Sequence, residues 1–135
     1  MKLVLEKIAR DFSDGRQMRR VLFPTSLEFV PGELAVLSGP SGSGKTTLLS
    51  IMGLVLRPSE GHLFLDEREI SGLPDLEAAD MRLQKYGFVF QQPMLIEGLS
   101  VRENIWLALA VQGGRVPPEA REKTEDLLTQ LGLEG

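Results

Sequence analysis

A chain of 135 residues with 42% hydrophobic and 25% charged residues has the balance of a globular domain and length enough to bury a core, which excludes a disordered polymer. A net charge of −4 gives no electrostatic case for nucleic acid as a partner, and the absence of cysteine excludes disulfides, thiol chemistry and cysteine metal sites. The N-terminal apolar run meets charge too early for a signal peptide, and no stretch approaches the roughly 20 apolar residues of a membrane span.

Residues 2–8 alternate loosely between apolar and charged, which predicts a strand with one wet face. Ser13-Asp14-Gly15-Arg16 is a turn signal, and residues 21–30 alternate again as a second strand. Pro31-Gly32-Glu33 reads as a tight turn, and the apolar run Leu34-Ala35-Val36-Leu37 as a strand buried on both faces. After a glycine-rich loop, residues 46–52 predict a helix ended by Gly53. Residues 57–61 form a turn, 62–65 a strand and 76–84 a helix; residues 86–90 predict a further strand, broken by Gln91-Gln92-Pro93. Ser100 with Glu103 has capping-box spacing, opening a helix that runs to about Gln112, where Gly113-Gly114 stop it. Residues 117–131 predict a last amphipathic helix with Gly132 as its stop.

Chemistry concentrates in Gly39-Pro40-Ser41-Gly42-Ser43-Gly44-Lys45-Thr46, which fits G-x-x-x-x-G-K-[ST] at every fixed position, between a predicted buried strand and a predicted helix. Glycines there let the backbone wrap a phosphate with its N–H groups turned inward, and the helix N-terminus adds positive partial charge. Lys45 is placed for the β- and γ-phosphates of a nucleoside triphosphate, and the Thr46 hydroxyl for Mg²⁺. The motif by itself is shared by kinases, GTPases and transport ATPases.

Longer stretches narrow the choice. Residues 39–49, Gly39 through Thr47 and on to Leu49, resemble the phosphate loop of ABC transporter ATPase subunits. Gly87-Phe88-Val89-Phe90-Gln91-Gln92-Pro93 resembles their Q-loop, and Leu99-Ser100-Val101-Arg102-Glu103-Asn104-Ile105 the segment after it. Ile70-Ser71-Gly72-Leu73 and residues 107–113 resemble the subgroup serving lipoprotein release and macrolide export. The resemblance implies an α/β P-loop NTPase fold of ABC ATPase type, incomplete, with an antiparallel β layer beside the nucleotide core in residues 1–99 and the start of a helical subdomain in 100–135. It implies ATP and Mg²⁺ as ligands, Phe12 stacking on adenine, Thr47 as a further nucleotide-binding residue, and Gln91 approaching Mg²⁺ and sensing the γ-phosphate. Implied partners are membrane-spanning transporter subunits and a second ATPase subunit, at the inner face of the cell membrane.

Family members also carry an LSGGQ-type signature, an apolar strand ending in Asp-Glu, and a switch histidine, which the resemblance puts beyond residue 135. The chain is therefore expected to bind ATP without appreciable turnover. Leu63-Phe64-Leu65-Asp66-Glu67 imitates the strand ending in Asp-Glu, but its position in the resembling family is a turn that usually holds glycine where Glu67 stands. His62 reads as a half-exposed strand residue, residues 119–126 as a solvated face with i,i+4 pairs, and Trp106 and Leu107 as core or as a docking surface. A complete small kinase or GTPase using Asp66, and a non-catalytic nucleotide-binding module, are the alternatives.

Overall fold

The computed structural model describes residues 1–15, 17–111 and 113–133. Arg16 of the expected turn, and Gln112 at the expected end of a helix, lie outside the described residues. Two compact units divide the chain, Met1–Gly87 and Phe88–Gly135.

The first unit is built on an antiparallel sheet. Strands β1 (Leu3–Ser13), β2 (Met18–Phe29), β3 (Glu60–Leu65) and β4 (Arg68–Glu69) lie in the order β2-β1-β3-β4. β1 and β2 are both longer than their alternation predicts, because pairing continues through charged positions. The partners Asp11 and Arg20 show how: Arg20 donates from Nε and Nη2 to the two Asp11 carboxylate oxygens at 2.8 and 2.9 Å, and also bonds Glu60 on β3. The fork holds the Asp11 carboxyl below its ordinary pKa.

β1 is irregular at its middle. Its pairing with β2 shifts between Leu5 and Ile8, where Lys7 takes φ 50°. The bulge lets Leu5 and Ile8 both enter the core although they are three residues apart. Gly61 of β3 lies against it: a Cβ there would stand 2.4 Å from the carbonyl oxygens of both Glu6 and Lys7. Only glycine fits this crossing.

Helix α1 (Lys45–Met52) packs Leu48 and Ile51 onto the sheet, where they meet Leu5, Ile8, Leu22, Leu63, Leu65 and Ile70 in one core. Each such side chain fully withdrawn from water contributes about 1.5–3 kcal/mol before its entropy cost. Helix α2 (Asp75–Lys85) has Asp75 and Glu77 in its first turn and Arg82 and Lys85 in its last, as the helix dipole favours. Arg82 donates to the Leu54 carbonyl at 2.7 Å, tying α2 to the end of α1.

Two expected strands do not form. Residues 34–37 make no ladder, and Leu34 and Val36 are 91% and 84% exposed. Residues 86–90 likewise make no ladder among the described residues, and Phe88, Val89 and Phe90 are exposed. An apolar run becomes a strand only when a neighbour accepts its backbone hydrogen bonds. Among the described residues neither segment is part of a strand ladder. The turn at Pro31-Gly32 does form, with the Glu33 N–H donating to the Val30 carbonyl at 3.3 Å and Gly32 at φ 80°.

The second unit is a helix pair. Ser100 and Glu103 make the full capping box of α3 (Val101–Ala110). Helix α4 (Pro118–Gln130) ends with Gly132 at φ 67°, the Leu133 N–H reaching the Leu128 carbonyl at 2.9 Å. Glu125, expected in local pairs on a solvated face, instead takes a two-pronged bond from Arg102 of α3 at 2.6 and 2.8 Å. Trp106 is half-buried with the Arg121 guanidinium 5.0 Å above its ring, whereas Leu107 is exposed.

Asp66 and Glu67 form the two-residue loop between β3 and β4, at φ 47° and 69°. Both signs are positive, as a type I′ hairpin turn demands. Asp66 is anchored there, its carboxylate accepting the Lys2 N–H at 2.7 Å. Glu67 has the left-handed strain without an anchoring hydrogen bond among the described residues. Glu67→Gly should therefore raise stability by about 0.5–1 kcal/mol, the relief of left-handed strain less the greater entropy of glycine when unfolded. Urea denaturation checks this; an unchanged or lower midpoint contradicts it.

Candidate functional site

The phosphate loop takes its shape from glycines at three strained positions. Gly39, Gly42 and Gly44 have φ of 150°, 80° and 90°. Gly44 is the most constrained, since a Cβ there would lie 2.9 Å from the Val21 carbonyl of β2. This contact seats the loop against the sheet at the point where α1 begins. The Ser43 N–H closes the loop on the Pro40 carbonyl at 3.4 Å, and the Leu48 N–H donates to the Gly44 carbonyl at 2.8 Å as the first turn of the helix. No side chain caps α1. Its leading N–H groups are therefore available to an anion.

Lys45 folds back over this loop. Its ammonium donates to the Gly39 carbonyl at 2.8 Å and to the Pro40 carbonyl at 2.7 Å. An ammonium has three donors, so one remains for a ligand oxygen. The carbonyl contacts fix where the charge sits without neutralising it. Ser41, Gly42, Gly44, Lys45, Thr46 and Thr47, with Val21, line a cavity of about 200 Å³. Larger cavities, of about 310, 370 and 570 Å³, lie elsewhere. The small one is the site of interest, because an anion is recognised by converging donors and charge and not by volume. The exposed Thr46 hydroxyl belongs to this cavity and is a hard oxygen donor of the kind Mg²⁺ accepts.

Phe12 stands near the end of β1, paired with Arg19 of β2, and the residue is 38% exposed. The Arg10 guanidinium lies 4.8 Å from its centroid. The sequence reading of Phe12 did not include Arg10, although the two-residue spacing on a strand is the signal that pairs them. Gln91 is exposed and belongs to the second unit. Val21, which lines the loop cavity, was read only as part of a strand, since a backbone carbonyl carries no sequence signature.

The described residues contain no group of three or more His, Asp or Glu able to hold a metal ion, and no helix long and apolar enough to cross a membrane. His62 sits in β3 and pairs with Glu69 of β4, Nδ1 to Oε1, at 2.8 Å. The Ser71 hydroxyl donates to the same Glu69 oxygen.

Comparison with known proteins agrees with this geometry. A sequence model described as ABC transporter matches residues 22–135. The macrolide export ATP-binding/permease protein MacB of Marinobacter nauticus is 40% identical over 129 residues, covering 96% of this chain and 20% of that protein. The lipoprotein-releasing system ATP-binding protein LolD 1 of Caulobacter vibrioides is 40% identical over 127 residues, 94% of this chain and 54% of its own. The ATP-binding cassette MJ0796, solved as a dimer in a post-hydrolysis state bound to ADP and Pi, superposes with a TM-score of 0.85 at 34% identity, covering 98% of this chain and 58% of that chain. The chain thus spans between a fifth and three-fifths of the length of these relatives. It belongs to the ABC transporter family, with the ATP-binding-cassette fold that the resemblance implied, and the likeness to lipoprotein-release and macrolide-export ATPases is borne out.

The His62–Glu69 pair makes stability depend on pH. The Glu69 carboxylate raises the His62 pKa above its ordinary 6.5, first through their hydrogen bond and then through its charge, with Glu6 adding to the effect. A raised folded pKa means the stabilisation is fully present below about pH 6.5 and is lost as pH rises through the folded value. Thermal unfolding should show the midpoint falling across that window, and His62→Gln should flatten the slope. An identical slope in the variant would remove His62 as its source.

Proposed function

We propose that this chain is the nucleotide-binding part of an ATP-driven membrane transporter, in which ATP with Mg²⁺ is gripped by the loop from Gly39 to Thr47. The observation that carries the reading is the Lys45 ammonium held over the uncapped start of α1. A fixed cation, uncapped helix N–H groups and a helix dipole stand together at one small cavity, which is what a polyphosphate needs.

Each residue has a role. Gly39, Ser41, Gly42, Ser43 and Gly44 present backbone N–H groups to the phosphates, while Pro40, which has no N–H, shapes the loop and offers its carbonyl to Lys45. Lys45 neutralises charge on the terminal phosphates, and Thr47 flanks them. Thr46 supplies a hydroxyl to Mg²⁺; the resemblance of Gln91 to the Q-loop glutamine assigns it the roles of Mg²⁺ ligand and sensor of the terminal phosphate. Mg²⁺, when bound, spreads the negative charge of the phosphate oxygens. Phe12 offers the face of its ring to the base. An aromatic face accepts any purine, so selectivity between ATP and GTP through this contact is weak.

Coupling to transport requires partners. The MacB relative is named as a combined ATP-binding and permease protein, and MJ0796 was solved as a dimer. By analogy the chain works with membrane-spanning subunits and a second ATP-binding subunit, at the inner face of the cell membrane. The relatives named for macrolide export and lipoprotein release make export the favoured direction.

Lys45→Ala removes a charge-assisted contact worth on the order of 1.5–3 kcal/mol, so the dissociation constant for ATP·Mg²⁺ should rise roughly tenfold or more. Calorimetry on wild type and variant measures it, and equal affinities would sink the reading.

Binding does not entail turnover. The one Asp-Glu that follows an apolar strand, Asp66-Glu67, is occupied as a hairpin turn. Phosphate release from the purified 135-residue chain should therefore stay far below the enzyme median of about 10 per second, and Glu67→Gln should leave it unchanged. Release near that median, lost in both Lys45→Ala and Glu67→Gln, would make Asp66-Glu67 a catalytic pair and overturn the assignment.

A further inference from the structure

We propose that Arg10 is a positioning residue for the nucleotide base: its guanidinium backs one face of the Phe12 ring and holds the other face ready for the purine. The inference rests on the reading of Phe12 as the base-stacking residue.

Geometry supports it from three sides. The Arg10 guanidinium carbon lies 4.8 Å from the Phe12 centroid, within the range of a cation–π contact. Its own position is fixed, because Nη1 donates to the Arg57 carbonyl at 2.9 Å. Arg10 Nε is buried with no hydrogen-bond partner among the described residues. A guanidinium free to reorient would turn that donor to water, so its burial marks a side chain held by packing against the ring.

The strand under Phe12 is clamped as well. The Ser59 N–H donates to the Ala9 carbonyl at 2.8 Å, and the Asp11 N–H donates to the Ser59 hydroxyl at 3.1 Å. Asp11 is gripped in turn by the Arg20 fork. Residues 9 to 11 are thereby bonded to the 57–59 loop and to β2, and the ring at 12 inherits that rigidity.

Two physical consequences follow. A phenylalanine ring pinned on one side loses less freedom when a base stacks on the other, which favours binding. The cation also enforces sidedness, since only one face is left for the purine. Phenylalanine lacks the hydroxyl with which a tyrosine could be anchored, so the guanidinium supplies the fixation the ring cannot obtain by hydrogen bonding.

The test compares ATP·Mg²⁺ with inorganic tripolyphosphate, which has the phosphates and no base. Calorimetry is run on the full 135-residue chain as wild type, Arg10→Gln, Arg10→Lys, Phe12→Ala and Arg10→Gln/Phe12→Ala. Arg10→Gln should weaken ATP roughly two- to fivefold, the size of one exposed cation–π contact, and leave tripolyphosphate unchanged. Arg10→Lys, which keeps the charge but not the planar group, should recover only part of the ATP loss. In the Phe12→Ala background, Arg10→Gln should cost nothing more.

Equal weakening of both ligands by Arg10→Gln, restored for both by Arg10→Lys, would make Arg10 a general attractor of phosphate and overturn the proposal. Unchanged ATP affinity in Arg10→Gln, with a clear loss in Phe12→Ala, would also overturn it while leaving the stacking role of Phe12 intact. Unchanged ATP affinity in Phe12→Ala would remove the stacking reading itself, and this inference with it. Retained tripolyphosphate binding doubles as the control that each variant is folded.

Discussion

The grip of α1 on the antiparallel sheet is the constraint on which the phosphate loop depends. Leu48 and Ile51 bury one side of an eight-residue helix among Leu5, Ile8, Leu22 and Leu63. So short a helix has no independent stability in water, and burial of that face is what keeps it wound. Gly44, pressed against the Val21 carbonyl, fixes the first turn relative to β2. Leading N–H groups without a side-chain cap would otherwise fray into solvent. Held in this way they stay ordered without a side-chain cap.

The sheet that provides the grip is itself irregular. The bulge at Lys7 costs left-handed strain, yet it brings Leu5 and Ile8 to the same face and leaves Gly61 as the only residue that fits beneath it. Arg20 ties three strands by pairing with Asp11 and Glu60. Single surface ion pairs contribute about 0.2–1 kcal/mol. A guanidinium fork spanning neighbouring strands adds alignment that a lone pair lacks. The end of β1 that carries Arg10 and Phe12 is aligned by this fork and by the 57–59 loop.

In the second unit, side chains close the start of α3. Ser100 and Glu103 cap α3 reciprocally, and Asn104 reaches back to accept the Ile96 N–H at 2.8 Å. Arg102 and Glu125 then link α3 to α4. The contrast with α1 is chemical. The first N–H groups of α3 are satisfied by serine and glutamate, whereas the first turn of α1 follows Gly44 and carries Lys45, which adds a cation to uncapped N–H groups.

Much of this was legible in the sequence because the signals were local. The spacing of Gly39, Gly44, Lys45 and Thr46 fixes a loop-to-helix junction, since backbone freedom and charge are needed at those positions whatever surrounds them. The box of Ser100 with Glu103 and the stop at Gly132 depend only on residues within a few positions, and both formed as read. Residues 34–37 and 86–90 carry equally plain strand patterns and did not become strands, because a ladder is a property of two segments and no described neighbour completes it. Alternation likewise stopped short of the real ends of β1 and β2, where pairing between Asp11 and Arg20 extends the sheet through charge. The placement of Arg10 over Phe12 was decided by tertiary structure, through a carbonyl 47 residues away that fixes the guanidinium. So was the role of Asp66-Glu67: the composition suits a metal-and-base pair, and only the pairing of β3 with β4 makes it a turn. Sequence determined which backbone positions could bend and which side chains were charged; packing decided which of them meet.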